Sequence, residues 1–215
     1  MRKYLGFLFI LIGISIGTYY FIEWNTGRSA AEELNPKELM KYEQMEAKAK
    51  DRSEPNNQQE KETTMKEPVP QTPSTQVKHT EGDKIAYLVI PKFKQKYSVF
   101  WGADENVLKK GVGMFVSELT TAPDGGGHTV LSGHRDTIFY KLDELETGDM
   151  LNVEYDEKVY SYSINKIFIT DPDDRTVIVK KDAATLTLTT CYPFNYVGDA
   201  PERYIIQAEL IDSGT

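Results

Sequence analysis

A single cysteine, Cys191, in a chain of 215 residues leaves no partner for an internal disulfide. Histidines number only three, at 79, 128 and 134. None stands in an HExxH, a CxxC or a paired His-rich pattern, so a catalytic transition metal finds no ligand set and no cofactor is predicted. Positive charge is also short, with 25 Lys and Arg against 33 Asp and Glu. Without a clustered basic stripe to displace counterions from phosphates, nucleic acid is excluded as a partner. Gly111 and Gly113 fail to complete a G-x-G-x-x-G because position 116 is Val, which removes a dinucleotide cradle. Asp171, Asp173 and Asp174 crowd one loop; calcium is the sharper reading of such a cluster, a plain polar loop the adopted one, and no metal is assigned.

Long apolar runs are missing except one. Residues 4–22 (YLGFLFILIGISIGTYYFI) carry no charge, and a helix of that length comes close to crossing the ~30 Å hydrocarbon core of a bilayer. Arg2 and Lys3 precede it, which predicts a cytoplasmic N-terminus and an external remainder. Tyr4 at one end, and Tyr19, Tyr20 and Trp24 at the other, suit the two interfaces. A cleaved signal peptide with small residues at 29–31 is the competing reading, and it exports the chain equally. The expected division is a membrane anchor over 1–24, a polar, largely disordered tether over 25–81, and a folded domain over 82–215. Within the tether, Asn35, Pro36 and Glu38 form a capping-box pattern that starts one local helix. That helix reads as polar all round, hence a solvated spacer. From 53 to 81 the chain is rich in Pro, Glu, Gln, Thr and Lys, which cannot bury enough apolar area to order itself. His79, inside it, is given no role. Such a tether supplies reach.

Beyond the tether the elements are short. Strands are predicted at 85–90, 97–101 and 128–131, a short helix over 104–110 and helical turns within 137–145 and 175–180. A hairpin over 150–155 and 158–170 turns at Asp156 and Glu157, with a register change in its second strand. The run TLTLT at 185–189 has period two, so Leu186 and Leu188 face a core and the threonines face outward. By the same parity Cys191 belongs to the outward set, where a lone thiol is a candidate nucleophile instead of a small core hydrophobe. After a turn-rich segment, 203–210 alternates again, with Tyr204, Ile206 and Ala208 inward and Arg203 outward, near Cys191. Many short strands with few helices predict an all-β barrel or sandwich.

These residues resemble a family. Residues 187–191, TLTTC, match the TLxTC signature of sortases, the cysteine transpeptidases that attach surface proteins to the Gram-positive cell wall. Residues 131–136, LSGHRD, resemble the family's GHRD segment with its catalytic histidine, and Arg203 falls where sortases keep their catalytic arginine. The resemblance covers roughly 85–210 and implies an eight-stranded β-barrel. It also implies that Cys191 attacks an LPxT-type sorting signal after its threonine, giving a thioacyl enzyme that a peptidoglycan precursor amine resolves. His134 would move the protons, Arg203 would hold the oxyanion and Thr190 would line the groove. With Tyr192, Pro193 and Phe194 after the cysteine, and no DPW or DPF lid motif, the chain looks most like class D. One departure is Met114, where many relatives carry histidine in GVGH.

The chemistry asks for a thiolate, a proton donor and a positive group facing an oxyanion. At unperturbed values roughly 3% of a thiol is ionised and roughly a quarter of an imidazole protonated at pH 7, so about 1% of molecules hold both. The resemblance implies that the enzyme works from this minor state. His128 is a rival base, but six extended residues separate it from His134 by about 20 Å, and it reads as a loop-edge residue. Arg135 is a rival to Arg203, yet its place beside His134 turns it to the opposite face. A thiol peptidase that lets water resolve the thioester, or a non-catalytic surface β-domain, would share the same fold.

Overall fold

The structure is a computed structural model, and it describes residues 2–28, 31–53, 71–195, 198 and 200–214. Its strands are β1 (Ala31–Glu33), β2 (Lys84–Ile90), β3 (Gln95–Trp101), β4 (Val112–Met114), β5 (His128–Ser132), β6 (Met150–Tyr155), β7 (Lys158–Thr170), β8 (Thr185–Tyr192) and β9 (Glu202–Gly214). The helices are α1 (Arg2–Arg28), α2 (Pro36–Ser53) and α3 (Glu105–Leu108).

Strands β2 to β9 close a barrel in the order β3-β2-β6-β7-β9-β8-β5-β4, with β4 returning to β3. This is the eight-stranded all-β fold expected. Two contacts are parallel, β3 with β4 and β5 with β8; the other pairings are antiparallel. Inward-facing Leu88, Leu151, Val153, Ile164, Leu186 and Ile206 fill the interior. The predicted hairpin turn is present, with φ of 49° at Asp156 and 60° at Glu157, the left-handed pair that a two-residue hairpin demands. Strand β7 also changes register against β9, between Ser161 and Tyr162 and again between Ile164 and Lys166. Asp104 caps α3 by accepting the Val107 N–H at 2.7 Å.

In β8 the inward leucines hold, and both are fully buried. The outward threonines are not bare: the β7–β8 connection, 171–184, runs over them as turns and bends without the helical turn expected at 175–180. His128, expected at a loop edge, is 1% exposed beneath this connection. Its Nδ1 donates to the Val179 carbonyl at 2.7 Å and its Nε2 accepts from the Thr187 hydroxyl at 2.7 Å, an assignment that a neutral ring satisfies on both sides. Thr187 is fully buried as a result.

The largest difference from expectation concerns 31–53. The capping box is real: Asn35 Oδ1 accepts the N–H groups of Lys37 and Glu38, and Glu38 returns an acceptor to the Asn35 N–H at 2.9 Å. The helix it starts is not a solvated spacer. Leu39, Tyr42 and Met45, spaced three apart, form a narrow stripe that packs with Leu34 on Val89 and Val159. Tyr42 is 1% exposed, and its hydroxyl donates to Glu154. Burial, followed by the Glu154 carboxylate, pushes that hydroxyl far above the ordinary phenol range. Strand β1 pairs with Gln95, Lys96 and Tyr97, on the edge of β3 whose other half is taken by β4 at Val99 to Trp101.

Residues 71–81 also lie on the barrel. Ser74 is fully buried and its hydroxyl donates to the Ser117 carbonyl at 3.0 Å. His79 sits 4.8 Å from the Trp101 ring and 3.2 Å from the Tyr155 hydroxyl. Of the expected tether, 54–70 lie outside the described residues. Helix α1 exposes Phe7, Phe9, Ile10, Tyr19 and Tyr20. Its described side chains run unbroken only over 6–22, and among the described residues no helix is long and apolar enough to cross a membrane.

Candidate active site

Three chain segments end side by side at one rim of the barrel. In the antiparallel pair β8–β9, Cys191 lies directly opposite Arg203, which places both side chains on one face. On the other flank β5 runs parallel to β8, and the last pair in register is Ser132 with Thr189. The ladder continues past it, because the Gly133 N–H donates to the Thr189 carbonyl at 3.2 Å. His134 follows one residue later, past the end of β5 and on the flank of β8 that leads to Cys191. In β8 the parity that turns Leu188 inward turns Cys191 outward. Cys191 thus has Arg203 opposite it on β9 and the segment carrying His134 on the other flank of β8, and all three residues are half-buried.

Packing fixes the histidine. Its carbonyl accepts the N–H of Ile138 at 3.2 Å and of Phe139 at 2.9 Å, closing a turn whose two apolar side chains enter the core. Gly133 is required beneath that turn: a Cβ there would meet the Phe139 ring at 2.7 Å. Thr190, expected to line the groove, does something else. It is 3% exposed, on the inward face, and its hydroxyl donates to the Gly133 carbonyl at 2.7 Å. It ties β8 to the segment that carries His134. Met114, the departure from GVGH, is fully buried in the core, so its thioether is packing and not a groove contact.

The guanidinium of Arg203 is oriented by its own chain, with Nη1 donating to the carbonyls of Glu202 at 3.0 Å and Ala200 at 3.3 Å. Arg135, the rival, extends instead to the Gly198 carbonyl, which its Nη2 meets at 2.9 Å. Tyr192, Phe194 and Tyr204 pack ring against ring just past the cysteine, at centroid separations of 5.1 to 6.0 Å. Burial, then Asp143 and Tyr192, raise the Tyr204 hydroxyl above its ordinary range.

Sequence reasoning missed one charged neighbour. Glu105, on α3, is held below the usual carboxylate range by its hydrogen bond to Lys109, and the His134 imidazole acts in the same direction. This helix carries a carboxylate within electrostatic reach of the histidine. The only sign in the sequence was its acidic first turn, which any capped helix shows. The acidic loop turns its carboxylates on itself: Asp171 accepts the Asp173 N–H at 2.8 Å, and Asp174 accepts from Thr170 and Thr176. Among the described residues no cluster of His, Cys, Asp or Glu is arranged to hold a metal.

A thiol between an imidazole and a guanidinium, on the rim of a closed eight-stranded barrel, is the arrangement of a cysteine acyl-transfer enzyme. The Sortase domain family matches residues 88–211, more than half of the chain, and the chain belongs to that family, whose members are cysteine transpeptidases. Within it the similarity points to class D. Sortase D of Bacillus subtilis (strain 168) is 42% identical over 131 residues, which take in 60% of this chain and 65% of that protein. The chain thus matches just under two thirds of that relative's length. The catalytic domain of B. anthracis SrtD is 64% identical, covering 64% of this chain and 94% of that one, with a TM-score of 0.57. A Clostridium perfringens sortase D5 transpeptidase is 31% identical, covering 63% and 83% of the two chains, with a TM-score of 0.56.

Proposed function

We propose that this chain is a membrane-anchored class D sortase that cleaves an LPxT-type sorting signal after its threonine and transfers the surface protein to a peptidoglycan precursor amine. The observation that supports the reading is Cys191 opposite Arg203 on β9, with His134 just past the end of β5 on the other flank of β8. The Cys191 thiolate adds to the threonine carbonyl carbon, and the Arg203 fork of N–H donors faces the oxygen as it gains charge. Protonated His134 gives its proton to the departing amine, the C–N bond breaks, and a thioester remains on Cys191. The incoming amine then loses a proton to His134 as it attacks the thioester; the new amide forms and the thiolate leaves. α1 serves as the anchor: 27 residues at 1.5 Å each give a helix of about 40 Å, with Arg2 and Lys3 on the cytoplasmic side and the barrel outside.

Mass spectrometry of the protein incubated with LPxT-containing peptides tests this. An adduct of the acyl fragment on Cys191, slowed by His134→Ala or Arg203→Ala and absent in Cys191→Ala, supports the reading. Adding an amine separates transfer from hydrolysis: an amide product means a transpeptidase, and free acid unchanged by the amine means a thiol peptidase. No adduct with any sorting peptide leaves a non-catalytic surface domain.

A further inference from the structure

Arg135 occupies a place that the acyl-transfer chemistry does not use. It follows His134 directly, in the turn beyond β5 that the His134 carbonyl closes. Its side chain is nonetheless not a solvated one. Arg135 is half-buried, its Nη1 atom is buried outright, and Nη2 donates to the Gly198 carbonyl at 2.9 Å. The contact joins two segments of the rim. On the Arg135 side the backbone is locked by the His134 carbonyl, which takes two N–H groups, and by Ile138 and Phe139, 2% and 1% exposed. On the Gly198 side the chain leads through Ala200 and Glu202 to Arg203, whose guanidinium is aimed by the carbonyls of those same two residues. The positions of Ala200 and Glu202 therefore set the direction of the Arg203 fork, and Gly198 stands just upstream of both.

We infer that Arg135 is a positioning residue. By holding Gly198 it fixes the lead-in to β9, and with it the aim of Arg203, relative to the segment that presents His134. The GHRD segment thus delivers two things to the rim, an imidazole and the fastening of the segment that leads to Arg203. A guanidinium suits the task because its fixed fork reaches a backbone carbonyl with a charge-assisted hydrogen bond. This inference rests on the sortase reading for its kinetic consequence but not for its structural one.

The experiment is a double-mutant cycle on full-length protein, with amide exchange read alongside. Arg135→Ala is expected to slow thioacyl formation about tenfold, as loss of one charge-assisted hydrogen bond would. In an Arg203→Ala background the same change is expected to slow it less than about twofold, since the group being aimed is already gone. Arg135→Lys, which keeps a charged donor, recovers part of the rate. Without any substrate, the amides of Ala200, Glu202, Arg203 and Tyr204 should exchange about tenfold faster in Arg135→Ala, while those of 186–189 stay within about twofold. Should Arg135→Ala fail to fold, Arg135→Gln gives the same comparisons. Rate losses that multiply across the two backgrounds, or unchanged exchange at Ala200, Glu202, Arg203 and Tyr204, overturn the inference. A protein that forms no thioacyl adduct at all overturns the sortase reading instead, and the exchange alone then decides the role of Arg135.

Discussion

The rim that carries Cys191 and the wall under α2 are both built on the barrel, yet they are held in different ways. At the rim every residue of β8 is paired to β9, and β5 supports the other flank of β8 by five register pairs. Thr190 and Gly133 add a side-chain tie and a packing constraint between β8 and the segment that carries His134. The wall is held at few points: the stripe of Leu39, Tyr42 and Met45, the Tyr42 to Glu154 hydrogen bond, and Lys96 reaching Glu38 at 2.9 Å. An over-determined region fixes geometry, whereas a sparsely held one contributes stability through single side chains. Substitutions should therefore separate rate from stability according to where they fall.

Tyr42→Ala is the strongest test of the wall. Removing this buried ring and leaving Glu154 without its donor should cost about 3 to 5 kcal/mol by denaturant unfolding. Thioacyl formation by the protein that remains folded should stay within about twofold, because α2 lies over β2, β6 and β7, across the barrel from Cys191. A large loss of rate per folded molecule would erase the contrast between the two regions. Gly133→Ala tests the rim in the opposite sense. Forcing a methyl against Phe139 should cost about 1 to 3 kcal/mol, less than the wall change, while slowing thioacyl formation far more, because the turn that must yield carries His134. Equal effects on rate from both variants would contradict the argument.

Smaller changes sharpen the same comparison. Tyr42→Phe keeps the ring and drops only the hydroxyl, so a loss of about 1 kcal/mol is expected. A loss matching that of Tyr42→Ala would mean that the hydrogen bond, and not the ring, docks the helix. His128 lies outside both regions, at the start of β5 under the β7–β8 connection. Burial holds its imidazole below the ordinary range, with the Val179 carbonyl opposing and the Lys181 charge adding to the depression. The unfolded chain then takes up the proton first. The stabilisation is whole above about pH 6.5, the unfolded value, and is lost as pH falls below it. Melting curves of wild type and His128→Gln, compared from pH 7.5 to 5, should converge as the pH drops; a constant gap would argue that the histidine keeps its proton balance on unfolding.

Much of the rim was legible in the residues. The alternation over 185–189 predicted which side Cys191 takes, and the second alternating run placed Arg203 on the same face. The capping box at Asn35, the turn at Asp156 and Glu157 and the register change in β7 were local signals, and each is where the sequence puts it. The barrel closure was not local. Parallel contacts of β3 with β4 and of β5 with β8 join segments by crossovers that no short-range period encodes, and the strand count came from family resemblance. His134 was also chosen by its motif, since nothing in spacing alone distinguished it from His128. The docking of α2 was missed because three apolar residues in a charged helix look like a solvated surface. The neglected clue was in the partner: 85–90 is apolar without alternation, which a strand covered on both faces requires, and Val89 is the outward residue that Tyr42 covers. Thr190 was misjudged for a related reason, because its parity with Leu188 points it inward.

Strand β1 has a further consequence for any shortened form of the protein. β4 occupies only half of the β3 edge, and β1 occupies the rest at Gln95 to Tyr97. A fragment beginning after residue 53 would bare a row of hydrogen-bonding groups on β3 and, farther round the same wall, the outward side chains of Val89 and Val159. Such a seam is a template for strands of other molecules, so the fragment should self-associate in sedimentation experiments where one beginning at residue 31 does not.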